Sequence, residues 1–163
     1  MSNNAKKVNL FLVMCGSKIS WSNYTIEPPL GLIALASYIK NIDDLKNSVE
    51  VYICDLNIKE GREYYENKLR AIRKENAAQT IFGFSVNMFN IEESLSLARQ
   101  MKYRFPDAKI VFGGHYVTTY LERYNRYEEL LSEYPIDCFI PYRGEGGLTQ
   151  VVSCIQNDGP FSD

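Results

Sequence analysis

The 163-residue chain has one histidine, His115, and one tryptophan, Trp21. Its four cysteines, Cys15, Cys54, Cys138 and Cys154, fall at no CxxC or CxxxCxxC spacing. Zinc and iron–sulfur sites need grouped thiolates or imidazoles, so no such site is expected. The cysteines read as structural thiols, three of them in or at the end of strand-like runs, where a thiol acts as a small hydrophobe. An excess of one charge is also lacking. With 18 basic and 20 acidic side chains the net charge is −2, so bulk charge favours neither nucleic acid nor an anionic membrane. No apolar run approaches the roughly 20 residues of a membrane span, and the first residues, Met1 to Lys7, lack a signal-peptide core. A cytoplasmic protein is expected.

Several nucleotide and nucleophile motifs are missing as well. There is no GxxxxGK(S/T), and the first strand-to-helix turn carries no GxGxxG. Cys15-Gly16-Ser17 stands where receiver domains carry paired acidic residues. No serine or cysteine sits in a nucleophile elbow, which excludes a catalytic triad.

What remains is a 45% hydrophobic, 23% charged composition, that of a globular domain. One domain over 1–156 is expected, with a loose tail over 157–163. Val8 to Cys15 is nearly continuous in apolar residues and reads as a strand buried on both faces. A thirteen-residue loop, Gly16 to Pro28, follows it, longer than most α/β connections. Pro29 then opens a buried helix over Leu30–Ile39. Val49–Leu56 alternates like a strand near an edge, and Gly61–Asn76 is a charged helix with Tyr64, Leu69 and Ile72 inward. Thr80–Val86 is a third strand. Asn90 suits an N-cap, and Glu92 and Glu93 favour the dipole of a helix that stops at Pro106. Lys109–Gly113 is the fourth strand. Thr119–Tyr134 is expected as one helix, with Tyr120, Tyr124, Tyr127 and Leu131 as a core-packing stripe. Asp137–Tyr142 is an edge strand, and Gly144–Ile155 the last helix.

Strands alternating with helices imply an α/β fold with right-handed crossovers. The expected architecture is a doubly wound five-stranded parallel sheet of flavodoxin-like (Rossmann-like) order 2-1-3-4-5, helices on both faces. Its topological switch point puts a ligand above Cys15 and Ser85.

Four carboxyl-end loops carry the unusual residues: Gly16 to Pro29, Ser85-Val86-Asn87, Gly113-Gly114-His115, and Arg143-Gly144-Glu145-Gly146. Two are glycine-rich and lead into helices, whose free N–H groups suit phosphate or amide oxygens. Glycine at a tight turn explains each loop alone. Four at one end of one sheet point to a ligand with polar arms. His115 reads either as a loop residue bonded to a backbone carbonyl or as a ligand contact.

Glu27-Pro28-Pro29-Leu30-Gly31-Leu32, Gly83-Phe84-Ser85, Ile110 to Thr118 and Arg143-Gly144-Glu145-Gly146 occur in this order. The set resembles the N-terminal cobalamin (B12)-binding domain of B12-dependent radical S-adenosylmethionine enzymes, over nearly the whole chain. The resemblance implies cobalamin at the carboxyl end of the sheet. Ser85, Val86 and Asn87 would contact its nucleotide tail, and Gly113 and Gly114 would pass beside it. His115, Val117 and Thr118 would line the corrin or its arms, and Arg143, Gly144, Glu145 and Gly146 would hold the base region. Gly16, Ser17, Pro29, Leu30 and Gly31 would border the lower face, with Trp21 or Tyr24 covering it.

Two departures stand out. No DxHxxG follows the first strand, so cobalamin is expected base-off, without a histidine from this domain on cobalt. Gly147 stands where the family commonly carries a glutamate. The CxxxCxxC cluster motif is also absent from the chain. S-adenosylmethionine and a 4Fe-4S cluster would therefore belong to a radical barrel domain, joined in cis or supplied in trans, and the chain reads as a fragment of such an enzyme rather than a free-standing carrier. The expected role is a cofactor-binding part of a methyltransferase. The rival readings are a cofactor-less docking domain of the same fold and a flavodoxin-like carrier.

Overall fold

The computed structural model describes residues 6–16, 28–73, 79–157 and 159. Five strands form one parallel sheet in the order β2-β1-β3-β4-β5. They are β1 Val8–Met14, β2 Val49–Asp55, β3 Gln79–Ser85, β4 Lys109–Gly113 and β5 Cys138–Ile140. The helices between them are α1 Leu30–Lys40, α2 Lys59–Ile72, α3 Ile91–Arg104, α4 Glu122–Tyr124, α5 Tyr127–Glu133 and α6 Gly144–Gln156. The expected sheet order is therefore the observed one. It follows from chirality: right-handed crossovers send α1 and α6 to one face and α2 and α3 to the other.

Side-chain alternation divides β1 between two cores. Phe11 and Val13 pack under α2 and α3 with Tyr52, Leu69, Phe82, Met101 and Phe112. Leu10 and Leu12 pack under α1 and α6 with Leu32, Ile39, Val111, Leu148 and Val152. Both faces are covered, which is why β1 reads as continuous apolar sequence. β2 lies at an edge as expected, although only Glu50 of its seven residues is exposed.

Local departures have local causes. Helix α1 is not buried all round: Leu32, Ala36 and Ile39 face the sheet, while Leu30, Ile33 and Tyr38 are exposed. Helix α2 starts at Lys59, and the buried tyrosine is Tyr65, not Tyr64. At 3.6 residues per turn, Tyr65, Leu69 and Ile72 share a face that Tyr64 does not. The expected helix over Thr119–Tyr134 is broken. A π-helical turn, Val117–Leu121, runs into α4, and Asn125 adopts φ +49° before α5 begins. Its aromatic stripe is mostly outside: Tyr120, Tyr124 and Leu131 are exposed, while Tyr127 packs on Phe139. Strand β5 stops at Ile140, before Pro141. The tail lies outside the described residues apart from Asn157 and Gly159, whose N–H donates to the Cys154 carbonyl at 2.8 Å. Among the described residues no helix is long and apolar enough to cross a membrane.

Candidate functional site

Period-two alternation sends Gly83 and Ser85 of β3, and Val111 and Gly113 of β4, to the α1/α6 face of the sheet. Three of these four side chains are a hydrogen atom or a hydroxymethyl group. The sheet therefore does not fill the space beneath α1 and α6 at its carboxyl end. A cavity of about 350 Å³ results, within the size range of small-ligand pockets. Leu12, Leu32, Leu35, Val111, Ile140 and Leu148 wall it with hydrocarbon, and Gly31, Ala34, Gly113, Gly114 and Gly144 leave backbone close to the space. Ser85, Tyr142, Arg143 and Glu145 bring the polar groups.

The turn after β4 fits closely against β3. Val86 N–H donates to the Gly113 carbonyl at 2.8 Å, and Tyr116 N–H donates to the Val86 carbonyl at 2.9 Å. Gly114 takes φ +95°, and a Cβ there would lie 2.8 Å from the Val86 oxygen. Glycine is required on both counts, conformation and space. Asn90 is buried and makes no N-cap hydrogen bond for α3. Its side chain instead accepts from Asn87 N–H at 2.8 Å and donates to the carbonyls of Ser85 at 3.1 Å and Cys15 at 3.4 Å. It thus joins the carboxyl ends of β1 and β3. Thr118 Oγ1 donates to the Gly114 carbonyl at 3.2 Å and accepts from Tyr142 N–H at 2.8 Å, tying the β4 turn to the segment before α6.

Of the residues singled out from sequence, Gly31, Ser85, Gly113, Gly114, Arg143, Gly144 and Glu145 come together around this cavity. The others do not line it. Val86 is buried in the turn, and Asn87 caps its own loop by accepting from Phe89 N–H at 2.8 Å. His115 is exposed, its Nδ1 3.3 Å from Thr119 Oγ1. Val117 belongs to the core on the α2/α3 side, and Thr118 acts through backbone groups. Pro29 serves the first turn of α1, accepting from Leu32 N–H at 2.9 Å and Ile33 N–H at 3.0 Å. Leu30 and Gly146 are exposed. Ser17, Trp21 and Tyr24 lie outside the described residues.

The two residues expected to lie under a ligand, Cys15 and Ser85, do not share one opening. Ser85 lines the cavity, but Cys15 and Gly16 border a separate recess on the α2/α3 side, with Arg62, Glu92 and Glu93. Cys15 sits on the alternate face of the sheet, so the two residues look opposite ways. Burial, above all, pushes the Cys15 thiol up to about 11, with Ser94 opposing and Glu93 adding, so it is not a thiolate at neutral pH.

Sequence reasoning missed Leu12, Ala34, Leu35, Ile140, Tyr142 and Leu148 as lining residues. Period two alone would have placed Gly83, Ser85 and Gly113 on one face and so found the gap. The helix side depends on packing of α1 against α6, for which the sequence carries no short-range signal. Among the described residues, no group of three or more histidine, cysteine or acidic side chains is placed to hold a metal ion. Comparison with models of known protein families gives no match, and comparison with curated proteins gives none either.

Proposed function

We propose that this domain binds cobalamin at the carboxyl end of its sheet, as the cofactor-carrying part of a B12-dependent radical S-adenosylmethionine methyltransferase. The observation that carries this reading is the glycine-edged apolar cavity between the sheet and helices α1 and α6. At about 350 Å³ it suits one substituent of a large cofactor, with the macrocycle over the mouth. The donor set fits: hydrocarbon walls for an aromatic base, backbone at Gly113 and Gly114 for close approach, and Ser85, Arg143 and Glu145 for polar arms.

Cobalamin, when bound, supplies methyl-transfer chemistry. This chain's own residues bind and orient. The leucine and valine walls exclude water, the Ser85 hydroxyl offers a hydrogen bond, and the pinned Gly114 turn holds the rim in one conformation. S-adenosylmethionine and a 4Fe-4S cluster would come with a barrel domain in cis or trans. Leu30, at the start of α1, and Met88 and Phe89, between β3 and α3, are exposed and leave apolar side chains that such a partner would cover. The same side chains favour the rival reading, a docking domain without cofactor.

Titration of the purified chain with hydroxocobalamin, followed by its visible spectrum, tests the proposal. A saturable spectral change at micromolar concentrations is expected, and an unchanged spectrum would favour the docking domain. Gly83→Val has room for its Cβ, 3.4 Å from Leu12 Cδ2, yet extends toward the cavity. It is expected to weaken binding about tenfold or more, or about 1.4 kcal/mol, while the fold persists.

A further inference from the structure

We infer that the outer face of helix α1 docks on the same face of a second copy of this chain, across a two-fold axis at Ala34. The inference goes beyond the cobalamin reading and holds whatever the cavity takes.

Helix α1 carries one charged side chain, Lys40, at its last position. By contrast, α2 carries seven in fourteen residues and α3 five in fourteen, as solvated helices do. At 3.6 residues per turn, Leu32, Ala36 and Ile39 face the sheet, while Leu30, Ala34 and Tyr38 form a ridge at i, i+4 and i+8 on the opposite side. That ridge meets solvent. Leu30 is 70% exposed, Tyr38 47% and the flanking Ile33 42%, and Ala34 is exposed as well. A helix apolar on both sides calls for cover on both.

The charge pattern selects the cover. A charged face docked here would lose hydration and gain no counter-charge, so the partner face must be uncharged over the same length. The outer faces of α2, α3 and α5 carry exposed charges and do not qualify. Helix α6 packs beside α1 and has one charge, Glu145, in its first turn, with exposed Gln150 further along. Among the described residues, the surface left uncharged over a helix length is the α1/α6 layer itself, which a second copy presents.

Two-fold symmetry suits the ridge. With antiparallel α1 helices crossing at Ala34, Leu30 of one copy meets Tyr38 of the other, and the small axial side chain lets the backbones close. Packing of i±4 ridges is the commonest mode between helices. The two Lys40 side chains fall about 18 Å apart at about 1.5 Å per residue, beyond the Debye length of about 8 Å, and do not oppose docking. Helix α1 is about 16 Å long, so its face is smaller than the roughly 800 Å² per partner of stable complexes. A reversible, concentration-dependent dimer is therefore expected. Gly31 and Ala34 also line the cavity, so the second copy approaches it on that side. A barrel domain that covers Leu30 would compete with it.

Sedimentation equilibrium of the full chain from about 5 to about 500 μM, a range that brackets weak interfaces, tests the inference. The wild type is expected to dimerise reversibly. The Leu30→Lys/Tyr38→Lys variant sets like charges at both ends of the ridge and is expected to weaken dimerisation about tenfold or more. The Leu30→Glu/Tyr38→Lys variant pairs opposite charges across the axis and is expected to return to within about threefold of the wild type. Both variants should melt near the wild-type temperature when dilute, because both positions are exposed. Ala34→Cys is expected to form a disulfide-linked dimer under oxidised glutathione, and Lys40→Cys, off the axis, no more than the wild type. A wild type monomeric throughout overturns the inference, as does a dimer untouched by the lysines, a glutamate–lysine variant without recovery, or cross-linking at position 34 no greater than at position 40. A monomeric chain that sediments with phosphatidylcholine vesicles would overturn it as well and assign the face to a membrane.

Discussion

A side chain at position 114 would meet the Val86 carbonyl oxygen at 2.8 Å while its backbone held φ +95°. Gly114→Val is therefore expected to lower unfolding free energy by about 2–4 kcal/mol, read from urea denaturation, because strain and overpacking add. Position 147 makes a related point. A Cβ there would come within 2.7 Å of Ile140 Cγ2, on a buried side chain. Where the resembled family commonly has glutamate, this chain has packed Ile140 against the helix, so glycine at 147 is a packing requirement here. Gly147→Ala is expected to destabilise by about 1–3 kcal/mol despite alanine's better helix propensity. Asn90 shows a residue whose type was legible and whose role was not. Its place before α3 looked like a cap, but its side-chain amide donates to the carbonyls of Ser85, five residues back at the end of β3, and of Cys15, just after β1 and distant in sequence.

At the scale of elements, the break after β4 decides where the tyrosines go. A regular helix would have turned Tyr120 and Tyr124 by 3.6-residue spacing, but the wider π-helical turn resets the phase. Tyr120 and Tyr124 are then exposed, with half-buried Tyr116 stacked on Tyr120 at a centroid distance of 4.9 Å and Tyr124 tilted against it at 5.0 Å, and Arg126 reaches Tyr120 and Glu129. Asn125 tolerates its φ of +49° better than other residues with a side chain. Asn125→Gly should leave the melting temperature nearly unchanged, whereas Asn125→Val should cost about 1–2 kcal/mol by the same measurement. Helix α1 offers a second contrast. Ile33→Lys is expected to change stability by no more than about 0.5 kcal/mol, since Ile33 is exposed. Ile39→Ala, at a fully buried position, should cost about 2–5 kcal/mol. A continuous apolar run such as Leu30–Ile39 does not say which of its faces is covered.

For the whole molecule, the core layer under α2 and α3, which holds Cys15, Cys54 and Tyr65, sets the response to alkaline pH. Burial pushes the Cys15 thiol from an ordinary value of 9.0 up to about 11 and the Cys54 thiol up to about 12, and it raises Tyr65 as well. Above pH 9 the unfolded chain releases protons that the folded chain keeps. Stability is thus fully present below pH 9 and falls as pH rises, through about 9 to 11 for Cys15 and about 9 to 12 for Cys54, on the order of 1 kcal/mol per pH unit for each thiol. Urea midpoints measured from pH 8 to 11 should decline, and Cys54→Ala should flatten the decline.

The order of strands was legible because it follows from hydrophobic period and crossover handedness, both local or generic. β1 announced its central place by being apolar on both faces, and Glu50 marked β2 as an edge. Six of the proposed site residues, Ser85, Gly113, Gly114, Arg143, Gly144 and Glu145, were legible as unusual types in the loops after strands, and Gly31 came only with the family resemblance. Tertiary structure alone decided that Ser85 and Gly113 face a cavity while Cys15 turns away, and that Leu35, Ile140 and Leu148 close it. Those contacts bring together residues more than a hundred positions apart, through the packing of α1 against α6. Side-chain period fixes which face a residue takes, but only the assembled layers fix what it meets there.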